Sequence, residues 1–146
     1  MTEEERERLE RQKDWVKHRI NCTTRAVFDR LVDAIKYDIN TYNESDTNQF
    51  NAEDMTGGDP GLIVTEVTSY GDPDFVTIVL KKSFIRVKHR EQLLFTVTPH
   101  WNEADLECNL LIDGDPEPHT YPQISQKAIG GLLFKGPTYP PTMGGG

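Results

Sequence analysis

The sequence predicts an α+β domain: a long N-terminal helix, or a pair of helices, packed on a four-stranded antiparallel meander, then a short C-terminal helix and an extended tail. Three observations predict this class. Apolar residues recur at three- and four-residue steps between residues 16 and 42, alternate with polar residues at several places between 62 and 113, and return to helical spacing after 123. The 146 residues are a typical length for one domain, which we expect to span residues 1–136.

The first helical region is predicted over residues 3–43. Residues 1–14 are almost wholly charged and offer little to bury, so we expect that end to project from the domain. Weak helix formers at residues 21–24 leave open a break into two helices. In either case, residues 27–42 should lie on the core. The recurring apolar residues are Val16, Ile20, Val27, Phe28, Leu31, Val32, Ile35, Ile39 and Tyr42.

Residues 44–60 are polar and aperiodic, which predicts a connecting loop. The four strands are predicted over the segments that follow it. Within the second of them the alternation slips at residues 81–83, as a bulge or a bend would require. The four segments are residues 62–70, 75–89, 93–101 and 106–113.

After the strands, apolar residues at helical spacing predict a short C-terminal helix. The adjacent Gly130 and Gly131 cost such a helix up to about 2 kcal/mol relative to Ala, so it either ends there or packs its backbone closely on the sheet. Residues 137–146 predict a flexible Pro/Gly tail. The apolar positions of the helix are Ile124, Ala128, Ile129, Leu132 and Leu133.

The net charge of −8 is distributed in blocks. Residues 37–80 hold nine carboxylates and no Lys or Arg, residues 81–90 hold five basic groups and no acid, and residues 91–126 hold seven acidic groups and no Lys or Arg. An acidic chain with one basic segment argues against general nucleic-acid binding, which needs a broad positive surface. It leaves room for one local anion site.

The chain has no apolar run of the roughly 20 residues that would cross a bilayer, and its first residues show no signal-peptide core. These features predict no membrane partner and a cytoplasmic location. Cys22 and Cys108 show no spacing typical of a metal site or a disulfide framework, so we expect two reduced, packed thiols.

The basic segment contains the best binding candidates, Lys82, Arg86, Lys88 and Arg90. If the apolar residues between them face the core, the four should line the outer face of a strand about 7 Å apart. Such a ridge would suit a phosphate or an acidic partner. Simple solvation of the sheet face, or protection of a sheet edge by Lys, is the favoured interpretation of the pattern.

Two weaker candidates lie in the later strands. A pair of His100 and Glu107 could serve as a general base, but a cross-strand polar pair on a solvated sheet face, which stabilises a hairpin without chemistry, is the favoured interpretation. Residues 113–119 carry four potential metal ligands at odd positions, but the prolines between them favour an acidic turn. These ligands are Asp113, Asp115, Glu117 and His119.

No nucleophile, phosphate-loop or dinucleotide motif occurs, so we predict no cofactor. The leading functional hypothesis is a non-catalytic interaction or adaptor module that self-associates, with a homodimer expected, because the apolar side of the long helix exceeds what a small sheet can cover. The alternative is binding of a small anion, or catalysis, in a cleft between helix and sheet lined by Phe95 and Trp101.

Overall fold

The computed structural model describes residues 2–46, 48–68, 71–113 and 115–134. The elements follow in the order α1 (Glu3–Lys13), α2 (Trp15–Ile20), α3 (Thr24–Ser45), β1 (Phe50–Met55), β2 (Gly61–Glu66), β3 (Phe75–Leu80), β4 (Ile85–His89), β5 (Gln92–Asn102), β6 (Glu107–Ile112) and α4 (Tyr121–Leu133). The predicted α+β class is confirmed. The predicted tail, residues 137–146, lies outside the described residues.

The strands form one antiparallel meander of six, in which each strand pairs with its neighbours in the chain. The prediction of four strands is therefore wrong, and two segments account for the difference. One is β1, which lies within the polar segment that we predicted to be a loop. The other is the run of residues 75–89, which contains two strands instead of one.

Strand β1 was missed because its sequence, FNAEDM, has little strand propensity. Only Phe50 is buried, and Ala52 is partly buried against the core. Pairing with β2 and a clamp from α3 hold this edge strand in place. The Asn43 side chain accepts a hydrogen bond from the backbone N–H of Phe50 at 3.0 Å and donates one to its carbonyl at 2.9 Å.

The predicted slip at residues 81–83 is a turn that reverses the chain. The backbone N–H of Lys81 donates to the carbonyl of Phe84 at 2.8 Å, which closes the hairpin between β3 and β4. Leu80 then lies opposite Ile85. The change of alternation therefore marks the passage from one strand to the next, and not a bulge within a single strand.

Helix α3 supplies the larger share of the helical core. Thr23 caps it, since its side chain accepts a hydrogen bond from the backbone N–H of Ala26 at 3.1 Å. Residues 21–23 before this cap are not helical, so the predicted alternative of a break in the helical region is the correct one. As predicted, the apolar side of α3 is buried, through Val27, Phe28, Leu31, Val32, Ile35 and Ile39, with Tyr42 partly buried against the core.

Helix α4 packs beside α3 on the same face of the sheet. It begins at a capping box, in which Thr120 and Gln123 each accept a hydrogen bond from the other's backbone N–H. The helix continues through both glycines to Leu133. A Cβ at Gly130 would meet only the Gln126 side chain at 3.6 Å, so close packing does not require glycine there.

The two cysteines form a disulfide, with Cα atoms 5.4 Å apart. The prediction of two reduced thiols is therefore wrong. Sequence spacing did not show the pairing because 86 residues separate Cys22 from Cys108, and only the fold brings the break before α3 beside β6. Among the described residues, no helix is long and apolar enough to cross a membrane.

Candidate functional site

Helices α1 and α2 form an extension of the domain, residues 3–20, which we call the N-terminal arm. Backbone hydrogen bonds from Asp14 to Glu10 (3.2 Å) and from His18 to Asp14 (3.1 Å) continue across the junction of the two helices. The two helices therefore follow one another closely, with a total length of at most about 27 Å at 1.5 Å per residue, and Asp14 between them has non-helical backbone angles (φ −99°, ψ 20°). Every described side chain of α1 is exposed, and α2 buries no residue.

One side of the arm is attached to the sheet. The Arg19 guanidinium lies over the Trp101 ring at 5.8 Å from its centroid, a cation–π contact, and Arg19 also reaches Glu103 at 3.8 Å. The Cys22–Cys108 disulfide follows directly after α2. These contacts fix the carboxyl end of the arm against β5 and β6.

The arm also carries three exposed apolar side chains, Leu9, Val16 and Ile20, which we call the arm stripe. Their exposed fractions are 41%, 50% and 68%. Val16 and Ile20, four residues apart, share one face of α2, and Leu9 of α1 precedes Val16 by seven residues, a spacing that brings it near the same face. Sequence periodicity had assigned Val16 and Ile20 to the same apolar side as the core of α3. The break at residues 21–23 separates them from the core.

The predicted basic ridge is only partly present in the structure. Arg86 and Lys88 lie on the sheet face opposite the helices, because Ile85 and Val87 are buried in the core. Lys82 lies in the turn before β4, and Arg90 follows β4 with a positive φ of 56°. The four residues therefore do not form one evenly spaced row.

Several basic side chains of this segment already have carboxylate partners. Arg90 Nε lies 2.9 Å from Asp74 Oδ1, and His89 Nε2 lies 2.7 Å from the same oxygen. Lys81 Nζ lies 2.7 Å from Asp59 Oδ2. The hydrogen bond and charge of Lys81, with a smaller contribution from Arg86, hold the pKa of the Asp59 carboxyl below its ordinary value. These pairs connect β4 and its turns to neighbouring loops.

Edge protection does not explain the basic residues of β4, since this strand pairs with β3 on one side and β5 on the other. Arg86 instead lies between Val79 and Thr96 in the cross-strand register. Its Nε is buried and lacks a hydrogen-bond partner among the described residues. The position is consistent with a stem that covers Val79, which is 5% exposed on a face without a packed helix.

The other predicted pair, His100 and Glu107, is not a direct cross-strand pair. His100 lies opposite Asn109, and Glu107 lies opposite Asn102. The two residues are diagonal neighbours near the end of the β5–β6 hairpin. A general base aligned by a directly opposed carboxylate is therefore not formed.

Asp113 and residues 115–119 lie between β6 and α4. Asp113 Oδ1 accepts hydrogen bonds from the backbone N–H and the hydroxyl of Thr96, at 2.7 and 3.0 Å. Asp115 Oδ1 accepts from the backbone N–H of Glu117 at 3.0 Å, and the His119 N–H donates to the Leu110 carbonyl at 2.9 Å. Within the described ranges, no three His, Cys, Asp or Glu side chains are grouped to hold a metal ion.

A cleft between helix and sheet does occur, between α3 and the β1–β2 hairpin, with a volume of about 390 Å³. It is not lined by Phe95 or Trp101: Phe95 is 6% exposed within the core, and Trp101 contacts Arg19. The two cations of the cleft are paired, Lys36 with Asp54 at 3.2 Å and Arg25 with Asp29 at 3.3 Å. The pairing leaves little positive charge for an anion.

A second groove, of about 350 Å³, lies between α3 and α4. It is mainly apolar and includes the Tyr42 and Phe134 rings, whose centroids are 5.4 Å apart. Asp38 accepts a hydrogen bond at 2.7 Å from the fully buried Ser125. Its lining within the described residues includes the carboxylates Asp38 and Asp46 and no Lys or Arg, a set that does not suit the predicted anionic ligand.

Comparisons of the chain with protein-family models, with curated proteins and with solved structures found no match.

Proposed function

We propose that this chain is a non-catalytic interaction module that self-associates through the arm stripe. The observation that carries this proposal is the exposure of Leu9, Val16 and Ile20, spaced by seven and four residues, on an arm attached to the domain at its carboxyl end. Aligned apolar side chains on a charged surface are typical of an interaction site. The sequence predicted an uncovered apolar side on the long helix. In the structure the apolar side of α3 is buried, and the exposed apolar residues lie on the arm instead.

The polar clusters of the described residues support a structural role over a catalytic one. Asp74 binds His89 and Arg90, Asp59 binds Lys81, and Asp113 binds Thr96. Each cluster joins a strand to a loop or to another strand. Anion binding in the helix–sheet cleft stays a prediction, and the ion pairs in that cleft weigh against it.

The cytoplasmic location also stays a prediction. The Cys22–Cys108 disulfide weighs against it, because disulfides persist mainly in oxidising compartments. An interaction module in such a compartment would assemble with its disulfide closed. Experiments on self-association should therefore use the oxidised protein.

The test is the molar mass of the whole oxidised chain, measured by light scattering during size-exclusion chromatography over a range of loading concentrations. We expect a species above the monomer mass at high concentration, and a monomer for the variant Val16→Gln/Ile20→Gln. Glutamine keeps the helical propensity and removes the apolar contact.

The matched control is Tyr37→Gln/Val67→Gln, which removes two side chains of comparable exposure, 71% and 54%, away from the arm. This variant should associate as the wild type does. A wild-type chain that is monomeric at every concentration, or an arm variant that associates normally, would refute the proposal.

A further inference from the structure

The N-terminal arm is electrically asymmetric. Its first half, residues 3–10, contains five Glu and two Arg, a side-chain charge of −3. Its second half, residues 11–20, contains four Lys or Arg and one Asp, a charge of +3 with His18 neutral. The arm is therefore neutral in total but has an acidic half and a basic half.

The charges flank the arm stripe. Glu3, Glu10 and Lys17 are separated by steps of seven residues, so they lie along one flank of the rod, close to Lys13. Among the described residues of one chain, two of the acidic side chains make weak contacts with neighbouring cations. Glu3 reaches Arg6 at 3.7 Å and Glu10 reaches Lys13 at 3.9 Å, and these four side chains are 64% to 74% exposed. Such exposed pairs contribute little to stability, so the charges remain available to a partner.

We infer that the partner of the arm stripe is the arm of a second copy of this chain, bound antiparallel. This inference rests on the self-association proposed above and names its geometry. An antiparallel pair places the acidic half of each arm against the basic half of the other, while it covers both arm stripes. A parallel pair would place like charges together along the whole contact.

The two contacts of this arrangement are identical by symmetry. A two-fold axis perpendicular to the arms, near the middle of residues 3–20, relates them, so the interface is isologous and closes as a dimer. Its length is limited to the arm, about 27 Å. An interface built from three apolar side chains per copy is small, so the dimer should be weak and depend on protein concentration.

The charge asymmetry also stabilises the arm itself, because acidic residues at a helix N-terminus and basic residues at its C-terminus complement the helix dipole. That effect needs no partner. The effect of the charges on the helix and their effect on the dimer are separable by experiment. The first changes the helical content of a single chain, and the second changes the dissociation constant of the dimer.

The experiment is sedimentation velocity on the whole oxidised chain and three charge variants. Glu3→Lys/Glu10→Lys reverses the flank of the acidic half, and Lys13→Glu/Lys17→Glu reverses that of the basic half. The third variant combines all four changes. Each half reversal should weaken dimerisation about tenfold or more, and the combined variant should recover to within about threefold of the wild type, because opposite charges again meet across the interface.

Net charge is controlled by variants with the same total change outside the arm. Glu53→Lys/Glu117→Lys matches the first reversal, and Lys82→Glu/Lys127→Glu matches the second; all four residues are exposed. Circular dichroism checks the helix content of every variant. The neutral variants, Glu3→Gln/Glu10→Gln and Lys13→Gln/Lys17→Gln, should each weaken dimerisation by less than the corresponding reversal. They provide the test of the antiparallel arrangement if a charge reversal disrupts the helix.

The antiparallel arrangement is wrong if a half reversal dimerises as well as its charge-matched control, or if the combined variant does not recover. A parallel pair brings each half against the same half of the other copy, so like charges stay together in every variant, and neither the weakening on half reversal nor the recovery would be seen. These results differ from failure of the proposed function. If Val16→Gln/Ile20→Gln abolishes the dimer while the charge variants change nothing, self-association stands and only the antiparallel arrangement fails.

Discussion

Cys22, in the break between α2 and α3, is bonded to Cys108 of β6, 86 residues further along the chain. The bond joins the N-terminal helices to the last strand of the meander. The Arg19–Trp101 contact lies beside it, so the carboxyl end of the arm is attached both covalently and by side-chain packing.

Removing the disulfide should lower stability without changing the fold of the core, since neither cysteine belongs to the fully buried set. We expect Cys22→Ala/Cys108→Ala to lose about 4.5 kcal/mol of unfolding free energy, because a closed loop of this length restricts the unfolded chain. Urea unfolding measures the loss. Reduced wild-type protein should show a similar decrease, and a loss below about 1 kcal/mol would contradict this entropic account.

Asp113 should be the structurally important carboxylate of residues 113–119. Asp113→Ala removes both hydrogen bonds to Thr96 and places alanine at a φ of 49°, so we expect a loss of about 2 kcal/mol in unfolding free energy. Thermal or urea unfolding of the variant gives the value. The control Glu117→Ala, at an exposed position of the same turn, should change stability by less than about 0.5 kcal/mol. Equal effects of the two changes would indicate that the hydrogen bonds to Thr96 are not what matters.

Tyr121 should limit stability at alkaline pH. Burial raises the pKa of its phenol, and the charge and hydrogen bond of Arg30 offset part of that increase. A raised pKa in the folded state means that stability is fully present below the unfolded value near 10, and falls as the pH rises through the folded pKa. The difference in ultraviolet titration between wild type and Tyr121→Phe isolates this phenol. Arg30→Met should raise its pKa further, and an unchanged value would contradict the role assigned to Arg30.

The strands show which local patterns were sufficient for prediction. Residues 93–101 alternate cleanly, and β5 contains all of them. Strand β1 has no such alternation because it lies at the sheet edge, where only Phe50 is buried. Its position depends on β2 and on the side chain of Asn43, which are contacts that no window of sequence contains. The turn at residues 81–84 was visible as a change of alternation, but a bulge and a hairpin produce the same change in sequence.

The predicted positions of the site residues agreed only in part with the structure, for a related reason. Arg86 and Lys88 were assigned to the outer face correctly by alternation, because period two determines the face of a strand. The order of the strands in the sheet was not available from sequence, so edge protection was considered for β4, which is an interior strand. The exposure of the arm stripe was not recognised from sequence, because Val16 and Ile20 continue the three- and four-residue spacing of the core residues of α3 across the break.

By itself, the sequence determined the α+β class, the buried side of α3, the faces of the central strands and the division of the arm into an acidic and a basic half. These properties depend on periodicity and composition, which are local. Only the tertiary structure decided the number of strands, the Cys22–Cys108 bond and the exposure of Leu9, Val16 and Ile20. Each of these depends on which distant segments meet, and that is settled by the packing of the whole chain.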